Sequence, residues 1–173
     1  TTPPIGPVPA FDSWKVEGLK GQILALAQMD AQARGIAFEA FLNELFNLYG
    51  MAARDPFRLV GEQIDGSFLL GGEIYLMEAK WHSHPIGVAD LHTFHGKLDQ
   101  KAAWTRGLFV SYSGFTEEGL TAFGRGKKAI CMDGWDLYEA LNRQLPLTEV
   151  LHRKVRRAGE TGQPFCRVID LFT

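Results

Sequence analysis

The spacing of apolar residues predicts a helix over 15–29, where Leu19, Ile23, Leu26 and Ala27 recur at helical intervals. A second helix is predicted over 31–49. Phe38, Phe41, Leu42, Leu45 and Tyr49 form its apolar face, and Glu39, Asn43 and Asn47 a thin polar stripe. A helix this apolar belongs inside a core. Asp30 is placed to cap it and Gly50 to end it. The period then shortens to two. The stretch GEQIDGSFLLGGEIYLMEAKW, residues 61–81, reads as a β-hairpin with arms over 58–70 and 73–81. Gly71-Gly72 suits the turn, because both residues can take positive φ without steric cost. The segment 57–60 either continues into the first arm or bends away at Gly61. Side chains alternate faces along a strand, so Gln63 and Asp65 share one face, as do Glu78 and Lys80. Tyr75, Met77 and Ala79 occupy the other face of the second arm, while Ile74 and Leu76 precede Glu78 on its own. An arm apolar on both faces is a central, buried strand.

Beyond the hairpin, Pro85 stops the strand, and residues 90–104 read as a helix with Leu91, Phe94, Leu98 and Ala102 inward. A buried strand is predicted over 107–112, a turn at Ser113-Gly114, and a helix over 117–123 capped by Thr116. A short apolar strand over 128–132 follows, then a helix over 135–143 opened by Asp133 or Gly134. Pro146 sits in the first turn of a helix reaching to about Ala158, where proline is tolerated. The end, 164–172, is expected as a final strand or an arm. Two strands joined by a helix should be parallel with a right-handed crossover. The expected fold is therefore α/β, a mixed sheet flanked by helices on both faces.

With 173 residues the chain is sized for one domain with a real core. A Pro-rich linker or arm is expected over 1–13, the principal domain over 14–145, and a basic helix and tail over 146–173 packed on that domain. Four prolines in the first nine residues also suit a piece of a longer chain with an upstream domain. The net charge of -2 carries no global signature of nucleic-acid binding, so any basic surface must be local. Cys131 and Cys166 are far apart and in no metal-binding spacing, which fits a reducing, cytoplasmic setting. No apolar run reaches the ~18 residues of a membrane helix.

The charged end of the hairpin needs a reason, because burying charge is costly unless it is paired or metal-bound. Asp65 and Glu78 would lie on adjacent arms, with twelve residues between them and the turn midway. Two carboxylates so placed repel unless a cation lies between them, and hard divalent ions favour carboxylate oxygens and water. Lys80 projects from the same face as Glu78 and can hold an attacking water or the charge of a phosphoryl transition state. Carboxylates, a metal ion and a lysine form an inventory for phosphodiester hydrolysis.

These residues resemble the PD-(D/E)XK nuclease superfamily in Asp65, the spacer and Glu78-Ala79-Lys80. The wider context resembles its Mrr-like restriction endonuclease branch, through Arg34-Gly35, Phe38-Glu39, Gln63-Ile64-Asp65-Gly66, Glu78-Ala79-Lys80-Trp81 and the run Gly107-Leu108-Phe109-Val110-Ser111. The likeness spans 34–141, with Ile64 standing where the superfamily pattern has proline. It implies a restriction-endonuclease-like αβββαβ core and cleavage of DNA with Mg2+, for which Mn2+ can substitute. It also implies Asp65 and Glu78 as metal ligands, Glu39 as a further ligand, catalytic Lys80 and a supporting Gln63. Restriction or genome defence is the implied role. A repair or junction-resolving nuclease is the nearest alternative, and a non-catalytic nucleic-acid or partner-binding domain the alternative of another class. Paired cuts in a duplex commonly take two active sites, so a homodimer is a reasonable expectation.

Other polar groups have two readings. Arg34, Lys97 and Lys101 suit phosphate contacts, although a solvated face is the more frequent role of helix lysines. Arg153, Lys154, Arg156 and Arg157 form the strongest local positive charge. With Leu147, Val150, Leu151 and Ala158 inward they are expected outward, for DNA backbone binding or simple solubility. His82, His84, His92 and His95 could form a zinc site or be plain surface histidines. Ser111 and Ser113 lack the surroundings of a nucleophilic serine.

Overall fold

A computed structural model describes the backbone of residues 10–173 and the side chains from Ser13 onward. The proline-rich residues 1–9 lie outside it. The elements are α1 (Ala10–Leu26), α2 (Ala31–Leu48), β1 (Phe57–Leu59), β2 (Glu62–Ile64), β3 (Gly66–Leu70), β4 (Glu73–Lys80), α3 (Val88–Asp99), β5 (Arg106–Ser111), α4 (Glu117–Phe123), β6 (Ala129–Asp133), α5 (Gly134–Asn142), α6 (Leu147–Thr161) and α7 (Val168–Leu171). The principal sheet has the order β3-β4-β5-β6. The β3–β4 pair is antiparallel, and β4–β5 and β5–β6 are parallel. This is the mixed sheet expected from the pattern, and α3 and α4 pack on one face while α1, α2 and α5–α7 cover the other.

Strand alternation divides the core. Tyr75, Met77 and Ala79 of β4 join Leu108, Val110, Ile130 and Met132 in the larger apolar cluster, with Phe38, Phe41, Leu42 and Phe46 from α2. Leu76, Phe109 and Cys131 point the other way, onto Leu91, Phe94 and Leu98 of α3. Each fully buried aromatic or aliphatic side chain stabilises the fold by roughly 1.5–3 kcal/mol. Phe46, Phe68 and Tyr75 pack in a row, Phe46 tilted against Phe68 with ring centroids 4.5 Å apart and Phe68 stacked on Tyr75 at 5.1 Å. That row locks α2 against the hairpin, which matters because α2 carries Glu39.

Several expectations are met closely. Asp30 caps α2 through the Ala33 N–H, and the chain leaves the helix at Gly50 with φ of 68°. Thr116 caps α4 through the Gly119 N–H. Asp133 opens α5 in a reciprocal capping box with Asp136. The β3–β4 turn has φ of 58° at Gly71 and 83° at Gly72.

Others are corrected. The first arm of the hairpin is not continuous. It bends at Gly61, where φ is 78°, so β1 and β2 form a two-stranded sheet of their own. Helix α3 ends at Asp99, five residues short of the predicted limit. Leu98 is its last inward residue, and Ala102 and Trp104 face solvent. Helix α1 starts at Ala10, so residues 10–13 belong to it and not to an arm. The C-terminal stretch is neither strand nor free arm. Pro164 O accepts the Cys131 N–H at 2.9 Å, and the chain then turns into α7. Among the described residues no helix is long and apolar enough to cross a membrane.

Gly134 marks a tight crossing. Its N–H donates to Tyr112 O at 3.1 Å, and a side-chain carbon there would collide with that same carbonyl and meet the Tyr112 ring at 3.1 Å. Neither atom can yield freely, because the Tyr112 ring stacks on Trp81 at 3.6 Å. Gly134→Ala is therefore expected to cost about 1–3 kcal/mol, seen as a fall in the thermal unfolding midpoint of several degrees. An unchanged midpoint would mean that the β6–α5 junction is looser than this crossing implies.

Candidate active site

The site forms where β4 emerges from the sheet. Gly66 pairs with Met77, so Asp65, the residue before it, stands across from Glu78. Both carboxylates are buried, at 6% and 7% exposure. Asp65 Oδ2 accepts the Ala79 N–H at 2.9 Å, and Gln63 Nε2 donates to Asp65 Oδ1 at 3.3 Å. A backbone donor and the Gln63 side chain thus fix the orientation of Asp65.

Glu78 is flanked by two cations. Lys80 Nζ lies 3.5 Å from its Oε1, and Lys97 Nζ lies 3.1 Å from its Oε2. Lys97 also donates to Gln63 O at 2.9 Å. Lys101, one helical turn on, pairs with Glu62. Lys97 of α3 and Lys101 just beyond its end therefore face the hairpin, not open solvent. Phosphate contact or a solvated face was expected of both, and the partnership of Lys97 with Glu78 was not foreseen. The available signal was that Lys97 precedes the inward Leu98 on a helix covering the face of β4 that bears Glu78.

Glu39 enters from α2. Burial, then the nearby Asp65 charge and hydrogen bonding toward Asp65, push its pKa up to about 7. Burial and the Asp65 charge also raise Glu78, against the opposing pull of Lys97 and Lys80. Three carboxylates are thus gathered at one strand end where they resist simultaneous ionisation. Among the described residues no three metal-ligating side chains converge tightly enough to enclose an ion as they stand. The donor chemistry nonetheless fits a hard divalent cation, since oxygen donors are held together under mutual repulsion that such an ion would relieve.

Beyond Lys80 an aromatic cluster secures the strand end. Trp81 stacks on Tyr112, packs edge-on against Phe38 at 5.4 Å and lies beneath the Arg34 guanidinium at 5.1 Å. Arg34 also donates to Trp81 O at 3.3 Å, which puts it one residue beyond Lys80.

The basic stretch of α6 is not part of this assembly. His152 lies against Gly71, at the opposite end of β4 from Lys80. Seven strand steps separate Glu73 from Lys80, about 23 Å at a rise of about 3.3 Å per residue. Arg153 pairs with Glu149 and stacks on Phe172 at 4.0 Å, Arg156 pairs with Glu160, and Arg157 leans on Cys166. Lys154 is contrary to expectation inward, at 2% exposure and 2.7 Å from Asp136. Its spacing from Leu147, Val150 and Leu151 puts it on the buried face of the helix, so it cannot serve as an outward backbone contact.

The histidines separate into two pairs. The His82 and His84 rings are 5.5 Å apart, whereas His92 and His95 pack edge-on against Phe123. His95 Nε2 accepts the Lys128 N–H and Nδ1 faces Asp99, so both its nitrogens are engaged in holding the fold. Ser111 donates to Gly114 O and Ser113 to His82 O, both as turn contacts.

The family model for the Mrr catalytic domain, a restriction endonuclease, matches residues 30–141. No curated protein matches the chain. Among solved structures, the small subunit (R.BspD6I2) of the heterodimeric restriction endonuclease R.BspD6I is similar with a TM-score of 0.50 at 14% identity, covering 90% of this chain and 93% of that one. The MspJI restriction endonuclease in complex with a 27-mer oligonucleotide gives a TM-score of 0.48 at 12% identity, covering 95% of this chain and 40% of that one. Protein VC1899 from Vibrio cholerae gives 0.48 at 12% identity, covering 68% of this chain and 34% of that one. The chain thus spans about a third of VC1899 and two fifths of MspJI. At these identities the likeness is one of fold.

Proposed function

Because the chain belongs to the Mrr catalytic-domain family of restriction endonucleases, we propose that it is a divalent-metal-dependent endonuclease that hydrolyses phosphodiester bonds of DNA, in restriction or genome defence. The observation that carries this reading is the meeting of Asp65, Glu78, Glu39 and Lys80 at one strand end. Asp65 and Glu78 would hold the ion, with Glu39 as a further ligand. Mg2+ is the expected metal and Mn2+ a substitute. When bound, the ion supplies positive charge to the phosphate and acidity to the attacking water.

The chain's own residues do the rest. Gln63 and the Ala79 N–H hold Asp65 in place, so its carboxylate is oriented before an ion binds. Glu78 tethers the Lys80 ammonium, whose side chain keeps 33% exposure and so remains open to substrate. Lys80 orients the attacking water and offsets the charge that builds on the phosphoryl oxygens. In the reaction the water oxygen bonds to phosphorus as one phosphorus–deoxyribose oxygen bond breaks. The products are a phosphomonoester and a hydroxyl, the leaving oxygen gains a proton, and the water gives one up. Arg34, fixed by Trp81 next to Lys80, is the basic residue best placed to contact the backbone of the same strand.

Purified protein incubated with supercoiled plasmid in Mg2+, Mn2+ or EDTA tests this reading. Nicked or linear product is expected with either ion and none in EDTA. Cutting that persists in EDTA would rule out metal dependence. Absence of cutting on plain, modified and branched DNA by folded protein would leave a domain that uses this fold only to bind.

A further inference from the structure

Lys97 has no part in the chemistry just described, yet it reaches into the carboxylate cluster. It leaves α3 within the last turn and its side chain is only 18% exposed. Its ammonium is held between Glu78 Oε2 at 3.1 Å and Gln63 O at 2.9 Å. Lys101, just past the end of α3, bonds to Glu62 and reaches Lys97 O at 3.4 Å, so a second contact to β2 lies next to this one. Lys97 is not a mobile surface lysine that happens to lie near an acid. Its position is set by a carbonyl on the strand that leads into Asp65.

With Lys80 on the other side, each oxygen of Glu78 has its own cation. When all are ionised, Glu39, Asp65 and Glu78 carry three negative charges, against two positive charges from Lys80 and Lys97. One negative charge is left over. A single divalent cation overcompensates it by one positive charge, which an incoming phosphate diester would neutralise. A second divalent cation would bring an excess of three and would have to displace or crowd a fixed ammonium at Glu78.

We infer that Lys97 fills, as a built-in ammonium, the place a second divalent cation would take at Glu78, so that the site holds one metal ion. This rests on the metal-dependent reading above. Lys97 is a positioning residue, because it acts through Glu78 and the hairpin and touches neither substrate nor the reacting atoms.

Counting Mn2+ bound to the full chain, by the electron paramagnetic resonance signal of the free ion, tests it. The wild type is expected to bind one Mn2+ per chain. Lys97→Met and Lys97→Gln are expected to bind a second, at least tenfold more tightly than any second ion on the wild type. Lys97→Arg, which keeps the charge, should return the count to one. A merely structural lysine would not produce a change in ion count that arginine reverses. Two ions on the wild type would overturn the inference, as would folded Lys97→Met and Lys97→Gln proteins that bind a single ion at wild-type affinity. Asp65→Asn run alongside separates this from the metal centre itself. It should weaken the first ion at least tenfold, and a wild type that binds no Mn2+, or an Asp65→Asn protein that binds as the wild type does, would overturn the metal-dependent reading and this inference with it.

Discussion

Asp65→Asn is expected to lower the plasmid cleavage rate by about a thousandfold or more while the metal-free protein unfolds at the same temperature or slightly higher. The amide keeps an oxygen for the Ala79 N–H, whose bond to Asp65 Oδ2 at 2.9 Å is buried. The substitution therefore avoids the unsatisfied backbone donor that Asp65→Ala would leave, worth about 1–3 kcal/mol. It removes the charge and, at the other oxygen, the long 3.3 Å acceptance from Gln63 Nε2. That charge is a main cause, after burial, of the raised pKa values of Glu39 and Glu78, so its loss relieves repulsion in the empty cluster. Glu39 also sets the sign of the pH dependence. Its folded value of about 7 lies above its ordinary 4.5, so its proton favours the folded state, and metal-free stability should decline as pH rises from 4.5 through 7. In Asp65→Asn that decline should shrink. Cleavage rates and thermal midpoints measured on the same preparations decide the matter. Loss of activity together with a large fall in midpoint would make Asp65 chiefly a structural residue, and retained cleavage would move the chemistry elsewhere.

Lys154→Met is expected to cost about 3–5 kcal/mol, enough to lower the midpoint by roughly 10 °C in a domain of this size. Lys154 and Asp136 each show only 2% side-chain exposure. The ammonium bonds to Asp136 Oδ2 at 2.7 Å, Cys131 O at 3.0 Å and Cys166 O at 2.6 Å. Asp136 in turn accepts the Val168 N–H at 2.8 Å and takes part in the cap of α5. One ion pair thus joins β6, α5, α6 and the segment leading to α7. A methionine of similar length would fill the space but strand a buried carboxylate without its cation and two carbonyls without a donor. Adding Asp136→Asn should recover much of the loss, because the amide can still accept from Val168 without a net charge to compensate. The double variant falling by the full sum of the two single losses would show that the pair is not coupled. Because Lys154 is buried, its replacement should leave the salt dependence of DNA binding unchanged, in contrast to a true phosphate contact.

The hairpin, its Gly71-Gly72 turn and the caps at Asp30, Thr116 and Asp133 were all legible, because each depends on a few consecutive residues. The facing of Asp65 and Glu78 followed from strand alternation and one turn, with no knowledge of the rest of the fold. The inward phase of Lys154 was also in the sequence, at helical spacing from Leu147 and Val150, but its charge argued the other way and the ion pair with Asp136 outweighed that argument. The bend at Gly61 was left open, since a glycine permits both a continuous and a turned path and only the packing around it selects one.

The local pattern of the chain thus settled most of the helices and strands and which acidic and basic residues share the end of β4. Docking of distant elements decided what those residues meet. Glu39 joins Asp65 because aromatic packing sets α2 against the hairpin, and Lys97 joins Glu78 because α3 lies across the face of β4. The basic run of α6 is directed to the far end because that helix packs beside the β3–β4 turn. Strand alternation and turn conformation are short-range steric properties, whereas the partner of a buried charge depends on which helix covers it, and that is chosen by the packing of the whole core.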